Sequence, residues 1–134
     1  INLIDFRARS RAAPEKEMIF KAEKLFNSIQ YPALIHCKSG ADRAGIMCAL
    51  YMLIYKKQDP EIAKKQLSWK YLHIKWAKPG VLDSFVENYS IDYKKNKIKF
   101  MDWAKNKYNP EKLEGSFRSV WWVNRFLDDI LRRE

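Results

Sequence analysis

The chain reads as an α/β fold: a small, mainly parallel sheet flanked by helices, centred on a strand, a tight loop and a buried helix, with a helical C-terminal extension. Three features predict it. Tyr31–His36 is a strand-like run. Ala44–Tyr55 is apolar nearly all round, as a central buried helix requires. Between them, His36–Gly45 packs a thiol, two glycines and an arginine into one short turn. A strand that turns directly into a helix aims successive backbone N–H groups, and the positive end of the helix dipole, at one point.

The other elements follow from spacing. Ile1–Phe6 reads as a short buried strand, and Arg7–Ala13 as a basic loop. Pro14 suits a first helical position, with Glu15 and Glu17 in the first turn. Met18, Ala22, Leu25, Phe26 and Ile29 then keep helical spacing to about Gln30. Asp59-Pro60-Glu61 opens a further helix with a cap and a first-position proline. Pro79-Gly80 separates it from a stripe of Val81, Leu82, Phe85, Val86 and Tyr89. Ser90–Lys97 is polar and reads as a loop. Phe100, Met101, Ala104 and Tyr108 suggest a short helix stopped by Asn109-Pro110. Phe117, Val120, Trp121, Val123, Leu127, Ile130 and Leu131 form a last amphipathic stripe. These stripes are read as core. The expected organisation is one domain over 1–134, with a core at 1–89 and a helical extension at 90–134.

Composition narrows the class. At 134 residues, with 47% hydrophobic and 14% aromatic residues, the chain can bury a modest core and is not disordered. Its longest apolar run is too short to span a bilayer. No basic, signal-like segment opens it and there are only two cysteines, so a reducing cytoplasmic setting is expected. The net charge of +10 attracts anions: phosphate esters, nucleic acid or acidic membrane surfaces, where peripheral contact is possible. No nucleic-acid reader module accompanies it, so nucleic acid is not the expected ligand.

The loop carries the chemistry. Cys37 lies where the N–H groups converge, which stabilises its thiolate and makes it nucleophilic near neutral pH. Arg43 can grip two phosphate oxygens through its planar fork. Gly40 and Gly45 remove side chains where backbone nears an anion or turns sharply. Cys48, on the following helix, is too far along the chain to pair readily with Cys37 and reads as a small buried hydrophobe.

His36, Cys37, Gly40, Arg43 and Gly45 fit the pattern H-C-x-x-G-x-x-R-[ST]-G, with Ala44 departing from it. The chain thereby resembles the cysteine-dependent protein phosphatases over about Ile1–Tyr89. The His36–Arg43 core is similar to that of bacterial members. The resemblance implies metal-free, cofactor-free, two-step phosphoryl transfer. Cys37 attacks phosphorus to form a cysteinyl-phosphate, and water then releases phosphate. Backbone N–H groups of Lys38, Ser39, Gly40, Ala41, Asp42 and Arg43, with the Arg43 guanidinium, are expected to hold the equatorial oxygens. His36 either orients the loop from behind or is simply a buried strand histidine.

Two carboxylates compete for the general acid. Asp5 stands 32 residues before Cys37, about the separation found in dual-specificity phosphatases, although Ser10 falls nearer the usual offset from the helix. Asp42 occupies a loop position where myotubularin-type lipid phosphatases carry an aspartate, and it serves equally well as a brace for Arg43 or for the loop. Asp5 is preferred. Ala44 lacks the hydroxyl that typical members place beside the cysteine sulfur, which predicts a slow second step. Family members usually carry more strands before the acid loop, so either the sheet is minimal or the chain is a piece of a longer domain.

The expected substrate is a phosphorylated protein, with phosphotyrosine or dual specificity. A lipid or inositol-phosphate substrate is the alternative. Lys38 matches a loop lysine of phosphatase-and-tensin-type enzymes, whereas Ala41 replaces their second one. Arg7, Arg9 and Arg11 would suit a polyanion if they overhang the site, and otherwise form a solvated loop. A third reading is a non-catalytic phosphate-binding module.

Overall fold

The computed structural model describes residues 1–132. Six helices form: α1 (Lys16–Ser28), α2 (Asp42–Ile54), α3 (Pro60–Lys64), α4 (Val81–Asn96), α5 (Phe100–Asn106) and α6 (Pro110–Leu131). Short 3-10 turns at Trp69–Tyr71 and Lys78–Gly80 lie between α3 and α4.

No strand forms among the described residues, which overturns the expected parallel sheet. A strand exists only with a neighbour to complete its ladder. Neither apolar segment finds one. Ile1–Phe6 is irregular rather than a buried strand: residues 1–5 are exposed, Leu3 at 86%, and Phe6 alone packs against the core. Ala33–His36 runs without ladder partners, and Leu34 is 87% exposed. The strand-loop-helix unit is therefore an irregular segment, a loop and a helix.

Helix α2 packs against α1, α3 and α5. Ala44, Ile46, Met47, Ala49, Leu50, Leu53 and Ile54 are buried along it, as its all-round apolar sequence requires. Gly45 allows close approach of the segment after α3. A β-carbon there would come within 3.0 Å of the Gln66 carbonyl oxygen and 3.1 Å of the Leu67 side chain. Asp59 caps α3 by accepting the Glu61 N–H at 2.8 Å, and Pro60 opens the helix.

Helix α4 continues to Asn96, through most of the Ser90–Lys97 stretch expected as a loop, and stops at Lys97 in the left-handed region. Its polar residues have partners on neighbouring elements. Ser90 and Lys94 both donate to Glu61, and Asp92 accepts the Trp103 indole N–H at 2.8 Å. A polar helix face was thus read as a break in the helix. Phe85 and Tyr89 meet Phe100, Trp103 and Tyr108 in an aromatic cluster with ring centroids 5.0–6.0 Å apart. The Tyr108 hydroxyl donates to the Pro14 carbonyl at 2.7 Å, tying this cluster to the start of α1.

Helix α6 begins at Asn109-Pro110 and rests its first turns on α4. Only Leu113 is buried, with Phe117 packed against the core. Val120, Val123, Leu127, Ile130 and Leu131, read as core, are exposed. The stripe has the right period, but nothing covers its outer half among the described residues. No described helix is long and apolar enough to cross a membrane.

Candidate active site

The loop from His36 to Arg43 enters α2 at Asp42, and Gly40 makes the turn with φ +72°, a left-handed conformation that suits glycine. Ala41 precedes the helix and carries no side-chain oxygen to cap it. The first-turn N–H groups stay available to an anion.

Cys37, half-buried, lies beside this turn. Burial alone would push its thiol up. Hydrogen bonds from the backbone of Ala44, Ser39 and Gly40, together with the Arg43 charge, outweigh burial and hold it below its ordinary value of 9.0. Cys48 has no such partners, and burial pushes its thiol up. The thiols of two cysteines 11 residues apart are thus shifted in opposite directions, by the amides and cation that act on only one of them.

Arg43 is exposed beside a shallow cleft. The cleft's other wall is the N-terminal basic loop, Ala8 to Ala12, so Arg9, Ser10 and Arg11 face Arg43 across it. Arg9 also pairs with Glu15 at 3.3 Å. Arg11 is shared with a larger cleft along α6, where Lys78, Arg118 and Arg125 stand among Phe117, Trp121 and Trp122. Two clefts rich in cations therefore meet at Arg11.

The remaining sequence-derived residues fall in different places. Lys38 and Ser39 are exposed on the loop, and Ala44 is buried with its N–H directed at the sulfur. His36 is exposed on the irregular segment rather than buried in a strand. Asp5 is exposed on the N-terminal segment, outside the residues that line the Arg43 cleft. Asp42 is engaged: its carboxylate accepts from His73 Nδ1 at 2.8 Å. His73 Nε2 in turn lies 2.5 Å from Asp83 on α4. Burial would lower the His73 pKa, but hydrogen bonds to Asp83 and Asp42, and the charges of both, raise it above 6.5.

Sequence reading missed His73 and Asp83. His73 lies in the aromatic-rich stretch from Trp69 to Trp76, and Asp83 interrupts an apolar stripe. A carboxylate on the buried face of a helix was the available signal, since such a group needs a partner.

A model of the PTP-SAK family, described as the DSP-PTPase phosphatase domain of Swiss Army Knife protein, matches residues 8–82, more than half of the chain. The chain belongs to this family. PTP-SAK is thus a phosphatase-type domain of the cysteine-dependent, dual-specificity superfamily. No curated protein matches the chain, and no solved structure does. The PTP-SAK match takes in the basic loop, Cys37 to Arg43, and His73. Asp5 lies outside it, as do α5 and α6.

Alkylation by iodoacetate should separate the two thiols. Cys37 is expected to react with a pH inflection below 9.0, and Cys48 only above it. Inorganic phosphate should protect Cys37 alone, as peptide mapping would read.

Proposed function

We propose that this PTP-SAK domain hydrolyses phosphate monoesters through a cysteinyl-phosphate. The observation that carries this reading is the His36–Arg43 loop running directly into the start of α2 inside the matched segment, where backbone N–H groups and the Arg43 charge lower the Cys37 thiol. A binding module needs the anion cradle, but has no use for a thiol whose pKa is lowered.

The reaction runs in two displacements. The Cys37 thiolate attacks phosphorus as the bond to the leaving oxygen breaks, and that oxygen takes a proton. The loop N–H groups and the Arg43 guanidinium bind the three equatorial oxygens, where charge spreads in the transition state. Water then attacks phosphorus, giving a proton to the group that protonated the leaving oxygen, as the S–P bond breaks and its electron pair returns to sulfur. Asp42 is already hydrogen-bonded to His73, which leaves Asp5 as the free carboxylate among the two candidates for proton donor.

Phosphorylated protein side chains are the substrates the site suits best. Cys37 is half-buried and Arg43 exposed, so the cradle lies near the surface and can be reached by phosphate on a short or a long stem. A second reading, a multiply phosphorylated inositol or its lipid, is favoured by Arg9 and Arg11 across the cleft from Arg43. These would hold phosphates that are not being transferred.

Turnover of p-nitrophenyl phosphate should vanish in Cys37→Ser and persist in Cys48→Ser. Arg43→Lys keeps the charge and loses the fork, and should lower the first step roughly a hundredfold or more. Arg11→Ala should raise KM for an inositol polyphosphate while leaving p-nitrophenyl phosphate unaffected. An unchanged KM would favour the protein-substrate reading.

The absence of a hydroxyl at Ala44 makes release of phosphate from Cys37 the expected slow step. Rapid mixing with p-nitrophenyl phosphate should give a burst of nitrophenol near one per site. Ala44→Ser should raise the steady rate and leave the burst rate unchanged. A linear trace would show that the sulfur leaves readily without that hydroxyl.

A further inference from the structure

The His73 side chain joins Asp42, at the start of α2, to Asp83 of α4. Its side chain is 0% exposed, against 2% for Asp83 and 24% for Asp42. Asp42 opens α2, Asp83 lies in the first turn of α4, and His73 comes from the irregular segment between the two 3-10 turns. Both ring nitrogens face carboxylate oxygens, so the arrangement is fully satisfied only when both carry a proton. The imidazolium then donates to the first turns of two helices at once.

The surrounding charges reinforce this state. Lys75, two residues on, pairs with Glu87 of α4, which also pairs with Lys64 of α3. Asp83 and Asp42 are thus the anions that His73 itself faces, and the neighbouring acid is already neutralised by two lysines.

We propose that His73 is a positioning residue for the reaction: it pins the Asp42 carboxylate at the start of α2, and with it the first turn that presents the Ala44 N–H and the Arg43 charge to Cys37. The proposal rests on the reading of Cys37 as the nucleophile. It makes Asp42 a strut rather than a proton donor. One Asp42 carboxylate oxygen is engaged by the buried His73 ring, and that contact is a structural tie. The fixed directions of the two ring N–H groups explain why a histidine, and not a lysine, stands here.

The test compares His73→Asn, Asp42→Asn and the double variant, each in a Cys48→Ser background. Two readouts are used: the pH profile of Cys37 alkylation, and turnover of p-nitrophenyl phosphate and of an alkyl phosphate. Each single variant is expected to move the alkylation inflection upward and to lower kcat roughly a hundredfold for both substrates alike. The double variant should be no worse than either single one, because one strut is lost in every case. If His73→Asn fails to fold, as circular dichroism would show, Asp42→Asn alone carries the same expectations. An unchanged alkylation profile would overturn the proposal, and so would additive losses. A loss in Asp42→Asn confined to the alkyl phosphate would make Asp42 the acid and overturn it equally. Absence of turnover in the parent protein, with the alkylation shift still present, would count against the hydrolase reading and leave the strut standing.

Discussion

The proposed anion site depends on the first turn of α2 being held still. An oxyanion cradle of backbone N–H groups works only if those groups are already aimed before the ligand arrives, since reorientation during the reaction would consume the stabilisation they provide. Here the aim is set from three sides. Helix α2 is gripped along its length by α1, α3 and α5, Gly45 lets the chain after α3 close against it, and Asp42 is tied to His73. The lowered Cys37 thiol is the measurable consequence, because it reports how well Ala44, Ser39 and Gly40 converge on the sulfur.

Helices α5 and α6 contribute by closing the core and tying down the N-terminal segment. Trp103 and Tyr108 fill the space beside Phe85, and the Tyr108 hydroxyl reaches the Pro14 carbonyl beside the N-terminal basic loop. Glu114 of α6 accepts the Ala13 N–H at 2.9 Å, a second tie to that segment. The arginines that face Arg43 are thereby anchored at the end of their loop by elements distant in sequence. Part of the net charge of +10 gathers at the two clefts that meet at Arg11.

What could be read from the sequence divides along physical lines. The loop was legible because its chemistry is local: thiol, glycine and arginine occupy fixed offsets, and α2 follows directly as an apolar run. The cap at Asp59-Pro60 was legible for the same reason. The sheet was not, since Ile1–Phe6 and Ala33–His36 have the residues of strands but a strand is defined by a neighbour, which composition cannot supply. Polar residues at Ser90, Asp92 and Lys94 were taken for a loop because their partners, Glu61 and Trp103, are remote. His73 escaped notice on the same ground, being 31 residues from one carboxylate and 10 from the other. The α6 stripe was visible, but periodicity alone does not say what covers a face.

The central claim is that Cys37 becomes covalently phosphorylated during turnover. A radiolabelled aryl phosphate, mixed rapidly with the protein and quenched in denaturant while nitrophenol release is fastest, tests it most directly. The account predicts one phosphate on the peptide that carries Cys37, and none in Cys37→Ser. Turnover with no protein-bound phosphate, or label on any other side chain, would contradict it.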